Sequence, residues 1–230
     1  MLKIEIAGIV VSLDNKYSFI EALAHPYLSD KPSMLMVKAE NSEIEKEQKK
    51  LSVSAGYAES VVLYSKIAEQ LHTFDAFVMH AVVIEMDSVA YLITAKSGVG
   101  KTTHARLWLE AFGKRARIIN GDKPIIRKIG TELYAAGTPW CGKERLGSNT
   151  MARIGAVAVL CRDSENSAVE LSAPDATEAL IGQLYMPKTP ISIASSLSLL
   201  DELVKTKKVI KLGANMDVSA ATVAYSAMSK

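Results

Sequence analysis

Ala95-Lys96-Ser97-Gly98-Val99-Gly100-Lys101-Thr102 is the stretch on which the reading of this chain turns. It reads A-x-S-G-x-G-K-T, a phosphate-binding loop with alanine at the usual first glycine. Gly98 and Gly100 let the backbone curl so that successive N–H groups point inward at an anion. Lys101 brings a positive charge to the outer phosphates, and the Thr102 hydroxyl is a hard oxygen suited to Mg²⁺. A helix should begin there, with its N-terminal dipole facing the phosphates. Upstream, Ala90 to Thr94 is an apolar run fit for a buried strand, and downstream, His104 to Leu109 has helical periodicity. A bare glycine-rich turn needs no Lys-Thr pair between such a strand and helix. Ser97, Gly98, Val99, Gly100, Lys101, Thr102 and Thr103 are the expected contacts to a nucleoside triphosphate, ATP, carried with Mg²⁺.

The rest of the chain reads as one substantial core with a small appendage. It has 230 residues, 49% apolar and 23% charged, with a formal net charge of +2, ordinary for a globular protein. That balance points to no nucleic-acid surface. Lys49-Lys50 and the lysines between 205 and 211 read as solvated faces. Cys141 and Cys161 are too few for a disulfide framework and lack metal-ligand spacing. The first residues interleave charges with apolar side chains, as a strand does and a signal peptide does not. No apolar run reaches the roughly 18 residues that a membrane span requires. The expectation is a cytoplasmic protein.

Residues 1–75 read as a small N-terminal α/β unit, and 76–230 as a kinase-type domain ending in helices. In the first, strands are expected over Leu2–Val11 and Ser33–Val37, with helices over Tyr17–Leu23, after an Asn41-Ser42 cap, and over Ala55–Leu71. In the second, Phe77–Glu85 and Val89–Thr94 read as a hairpin turning at Met86-Asp87-Ser88. Short strands follow at Ile118-Ile119, Lys123–Ile129, Glu132–Ala136 and Ala156–Cys161. Helices over Asp175–Tyr185, Ser192–Val204 and Val218–Met228 then flank a strand at Lys208–Leu212. Hairpins on both sides of the loop imply a mixed sheet, whereas simple nucleotide kinases alternate one strand with one helix.

Three features lie close to the loop in sequence. His80 sits in the apolar run Val-Met-His-Ala-Val-Val. Asp122 follows Ile118-Ile119-Asn120-Gly121, where an acid suits either a turn or a phosphoryl-transfer site, as metal ligand or as base. Thr138-Pro139-Trp140-Cys141-Gly142-Lys143-Glu144-Arg145 has loop-forming Gly and Pro, yet gathers a Trp and three charges. Trp140, Lys143 and Arg145 are the expected substrate contacts, the two cations meeting charge on the acceptor or on the transferred group.

From about residue 78 to 160 the chain resembles the kinase domain of HPr kinase/phosphorylase, which has a phosphoenolpyruvate carboxykinase-like fold. The resemblance rests on Met79-His80-Ala81, the loop from Ser97 to Thr102, Asn120-Gly121-Asp122-Lys123-Pro124, and Thr138-Pro139-Trp140-Cys141-Gly142-Lys143-Glu144. It looks like a divergent branch of small family members. Gly121-Asp122 stands where the family has two acids, and Glu144-Arg145 with Gly147 stands for its Glu-x-Arg-Gly loop. The resemblance implies that Lys101 neutralises the β- and γ-phosphates, that Asp122 is the base, and that His80 lies near the transferred group. It also implies that Thr102, Asp122 and Glu144 hold metal. By analogy with the fold, a homo-oligomer is expected.

The resulting reading is an ATP-dependent kinase whose acceptor is a hydroxyl, serine-type, on a protein, peptide or small metabolite. One alternative is a non-catalytic nucleotide-binding module that reports ATP to a partner. Another is a P-loop NTPase, against which stands the lack of an Asn-Lys-x-Asp run and of an apolar strand ending in Asp-Glu.

Overall fold

A computed structural model describes residues 1–229 as a mixed α/β molecule with two sheets. The smaller sheet joins β1 (Leu2–Ile6) and β2 (Ile9–Asp14) as an antiparallel hairpin, with β3 (Leu35–Lys38) parallel to β2. Between β2 and β3 runs α1 (Phe19–Ala24), and α2 (Asn41–Leu51) and α3 (Ala55–Gln70) follow. Leu2–Val11 is thus two strands and not the one expected: Ala7 and Gly8, at φ 52° and 71°, turn the chain back. The cap of α2 lies one residue before the expected one. Glu40 and Glu43 exchange side-chain and backbone bonds in a capping box, leaving Asn41 inside the helix. Ile4, Val11 and Leu13 meet Leu63 and Ile67 of α3 in one buried cluster.

The larger sheet begins with β4 (Ala76–Val78), β5 (Ala81–Met86) and β6 (Val89–Thr94), and the glycine-rich loop then leads into α4 (Lys101–Phe112). Next come β7 (Ala116–Asn120), β8 (Ile125–Ile129), β9 (Glu132–Ala136), β10 (Met151–Arg162) and β11 (Ser167–Glu170). The chain ends with α5 (Ala173–Ile181), α6 (Pro190–Thr206), β12 (Lys208–Ala214) and α7 (Ser219–Met228). Strand order is β4-β8-β9-β10-β6-β5-β7, with β12 parallel to the far half of β10 and β11 beyond it. β11 is an exposed edge strand that hydrophobic patterning did not mark.

The sheet is mixed because β6 runs parallel to β10 but antiparallel to β5. The β5–β6 hairpin turns on Asp87 and Ser88, both at positive φ, as a twisted two-residue turn requires. The run Phe77–Glu85 does not form a single strand. Met79 and His80 leave the ladder, their N–H groups donating to Pro124 O (3.3 Å) and Gln183 O (2.7 Å). β4 can therefore pair with β8 while β5 pairs with β6 and β7.

Side-chain alternation along β5 sends Val82 and Ile84 to one face with α4 and α7, around the fully buried Trp108. Val83 goes to the other face, where α5 and α6 add Leu180, Leu199 and Leu203. The antiparallel pairing places the site. It sets the start of β5 beside the ends of β6 (Ala81 opposite Thr94) and β7 (Val83 opposite Asn120). His80, the glycine-rich loop and Asp122 thus converge at one end of the sheet. No helix among the described residues is long and apolar enough to cross a membrane.

Candidate functional site

The glycine-rich loop leaves β6 with Gly98 at φ 81° and Gly100 at φ 125°. The space where their Cβ atoms would project is open, so the curl faces a free cradle at the start of α4. Arg162, at the end of β10, braces it: Nε donates to Val99 O (3.0 Å) and Nη2 to Gly98 O (2.6 Å). Lys101 is only 9% exposed, and its Nζ donates to Ala95 O at 3.1 Å. Burial lowers its pKa, with Asp122 pulling the other way.

Asp122 faces the loop from the turn after β7. His80 Nε2 donates to its Oδ1 at 3.1 Å, and Lys123 Nζ lies 3.8 Å from Oδ2. Burial alone would raise the carboxyl's pKa. The His80 hydrogen bond outweighs it, together with the charges of Lys123, His80 and Lys101, and holds the carboxyl below its ordinary value. Asp122 is therefore an anion at neutral pH, with one oxygen committed to His80.

The turn that presents Asp122 is held by residues to which the sequence assigned no role of their own. Asn120, wholly buried, accepts from the N–H of Asp122 (2.9 Å) and of Lys123 (2.8 Å). Its amide donates to Thr138 Oγ1 at 3.1 Å. The Lys123 carbonyl in turn accepts from Thr138 Oγ1 (3.0 Å) and from the Tyr64 hydroxyl (2.7 Å). Gly121 has no room for a side chain, because a Cβ would lie 2.6 Å from Cys141 O and 3.0 Å from Leu146 O. That close approach accounts for glycine where the resemblance calls for an acid.

The loop from Thr138 to Arg145 lines the same cleft as Lys101, with Lys143, Glu144 and Arg145 among its walls. Trp140 also lines the cleft but is mostly covered. It is 8% exposed, stacks on Tyr64 with centroids 4.2 Å apart, and donates from Nε1 to Ser60 O at 2.9 Å. Its main work is to pin the loop to α3, leaving a small face for the cleft. Glu144 is paired with Arg106 of α4. Among the described residues no three His, Cys, Asp or Glu side chains gather as a metal cage. Mg²⁺ carried by a nucleotide needs only one or two protein oxygens, the phosphates and water completing its shell. The Thr102 hydroxyl and Asp122 carboxylate fit that demand, whereas Glu144 would first have to leave Arg106.

The cleft encloses about 650 Å³ and is closed on its far side by α1 and α3, through Phe19, Leu23, Tyr57 and Val61. Phe19 and Tyr57 meet edge to face at 5.6 Å. Glu59, fully buried, accepts from the N–H of Lys16 (2.7 Å) and Tyr17 (3.0 Å) and so ties the segment before α1 to α3. Sequence reading assigned no site residue to the first 75 positions. The available signal was Glu59 itself, an acid set into the apolar run Ala58 to Leu63.

His104 lies in the first turn of α4, buried, with Nε2 accepting from Trp108 Nε1 at 3.2 Å and Nδ1 without a partner among the described residues. Burial pushes its pKa down to about 4, so the ring is neutral.

No protein-family model matches the chain, and no curated protein matches it. Among solved structures, the chain is similar to the Hpr(Ser) kinase/phosphatase from Coxiella burnetii. Identity is 10% and the TM-score 0.38, over 65% of this chain and 95% of that one. At that level the likeness carries no argument, and the function has to be argued from the cleft itself.

Proposed function

We propose that this chain is an ATP-dependent kinase that phosphorylates a hydroxyl group. The observation that carries the reading is the meeting, in one cleft, of an ionised Asp122 held by His80 and a buried Lys101 behind a glycine-rich cradle. Bound MgATP would supply the phosphoryl group, with ADP as leaving group. The loop amides and Lys101 hold the outer phosphates and meet charge building on them. Thr102 would offer the metal its hydroxyl oxygen, and Asp122 the lone pair of Oδ1 that His80 does not use. Asp122 takes the acceptor's hydroxyl proton at Oδ2, the oxygen outside the His80 bond, and His80 keeps the carboxylate aimed. Phe19, Leu23 and Tyr57 exclude water and take the apolar body of the acceptor, while Lys143 and Arg145 meet its negative charge.

The test is incubation with γ-labelled ATP, Mg²⁺, hydroxyl amino acids, serine peptides and cell extract. The expected result is label on a hydroxyl acceptor. Nucleotide binding without transfer to any acceptor would leave a nucleotide-reporting module as the reading.

A further inference from the structure

A second cavity, of about 390 Å³, opens on the opposite side of the glycine-rich loop from Asp122. It shares Gly100 and Thr103 with the main cleft, so the two meet across the first turn of α4. Its walls are Val99, Leu107, Leu160, Ala214 and Met216, with His104 beside them. Its rim also carries Thr103 and the Asp163 carboxylate, whose Oδ1 accepts from the N–H of Glu165. Arg162 donates to the loop carbonyls, and Asn215 bonds Ser164 O and Asp217 N. What remains is an apolar slot with no uncommitted lysine, unsuited to a second phosphate.

We infer that this cavity seats the base of a purine nucleoside triphosphate, which makes the donor a nucleotide and not pyrophosphate or polyphosphate. The inference rests on the kinase reading above. That reading points the γ-phosphate at Asp122 and His80, so the nucleoside end leaves the loop in the other direction, over Gly100 and Thr103. There the chain offers apolar walls to cover a flat aromatic ring. Beside those walls lies one buried polar atom without a hydrogen-bond partner among the described residues. Because His104 Nε2 accepts from Trp108, the neutral ring carries its proton on Nδ1. An unpaired buried N–H is matched by a ring nitrogen of a purine, which accepts and does not donate.

The test is calorimetric titration of the full chain with MgATP and with magnesium tripolyphosphate, which carries the phosphates alone. Wild type should bind ATP at least about tenfold tighter, the margin that covering an apolar ring provides. Ala214→Phe, which fills the slot, should remove most of that margin and leave tripolyphosphate affinity unchanged. Met216 is 76% exposed, so Met216→Ala leaves the fold intact and should narrow the margin about threefold by removing apolar cover. Lys101→Ala should weaken both ligands together. Equal wild-type affinities, or an ATP margin untouched in both cavity variants, would overturn the base site while leaving the phosphate loop standing. Failure of wild type to bind either ligand would remove the nucleotide reading and this inference with it.

Discussion

Asp122 sits on a turn where its own N–H and carbonyl and those of Lys123 are engaged and Gly121 is tightly packed, so its carboxylate has little freedom to relocate. Asp122→Asn keeps the shape and removes the charge and basicity. Phosphate transfer should fall on the order of 10²–10⁴-fold, with nucleotide affinity changed far less. Single-turnover transfer and equilibrium binding on the same sample check this, and near-normal transfer would return Asp122 to a turn residue. Asn120→Ala should behave differently. It removes both acceptor bonds to the turn, so transfer should drop together with stability. His104 makes a statement about pH. In an unfolded chain its ring takes a proton near 6.5, whereas the folded protein resists until about 4. Its folded pKa is depressed, so stability is complete above 6.5 and declines as pH falls toward 4. The loss should reach about 3 kcal/mol at the acid end. His104→Gln should flatten that slope between urea unfolding at pH 4.5 and at pH 7, whatever it does to absolute stability.

Among the elements, what could be read in advance was what neighbours in sequence dictate. The strand, loop and helix from Ala90 to Leu109 announce themselves because the apolar run, the glycines and the Lys-Thr pair are contiguous. The Asp87-Ser88 turn did so for the same reason. The break at Met79-His80 was invisible, since it depends on carbonyls of Pro124 and Gln183 far along the chain. Trp140 lines the cleft, but how far it is covered could not be read in advance, because its covering partner is on α3, with the Ser60 bond 80 residues away. The apolar wall on α1 was illegible because nothing local says that Phe19 and Leu23 line one cleft with Asp122. That wall supports a prediction about Glu59. Glu59→Gln replaces one acceptor oxygen with an amide that opposes the backbone N–H it used to receive, a loss of about 1–3 kcal/mol. The segment before α1 should loosen, raising the acceptor's KM while ATP affinity holds. An unchanged KM with lowered Tm would make Glu59 a purely structural anchor.

For the molecule as a whole, occupancy of the cleft should register as stability. Any ligand that binds only the folded chain adds about 2.7 kcal/mol at a hundredfold over its Kd. MgATP should therefore raise Tm, and Lys101→Ala should erase most of that rise. No shift with ATP, ADP or GTP would remove the nucleotide reading at its root. The cluster under the smaller sheet also draws in Ala76, Val78, Ile125, Ala136 and Trp140. Arg127 reaches back 120 residues to Ala7 O at 2.6 Å, and Asn149 reaches 123 residues to Pro26 O at 3.1 Å. Such distant closures have a consequence for biosynthesis. The first 75 residues leave the ribosome with one apolar flank uncovered, and its cover is translated only as residues 125 to 149 emerge. At about 5–20 residues per second, the nascent chain spends several seconds in that state. The half of the cleft built on α1 and α3, made before the rest, is thus completed last, and a chaperone that shields the early segment should raise the yield of folded protein more than one acting after release.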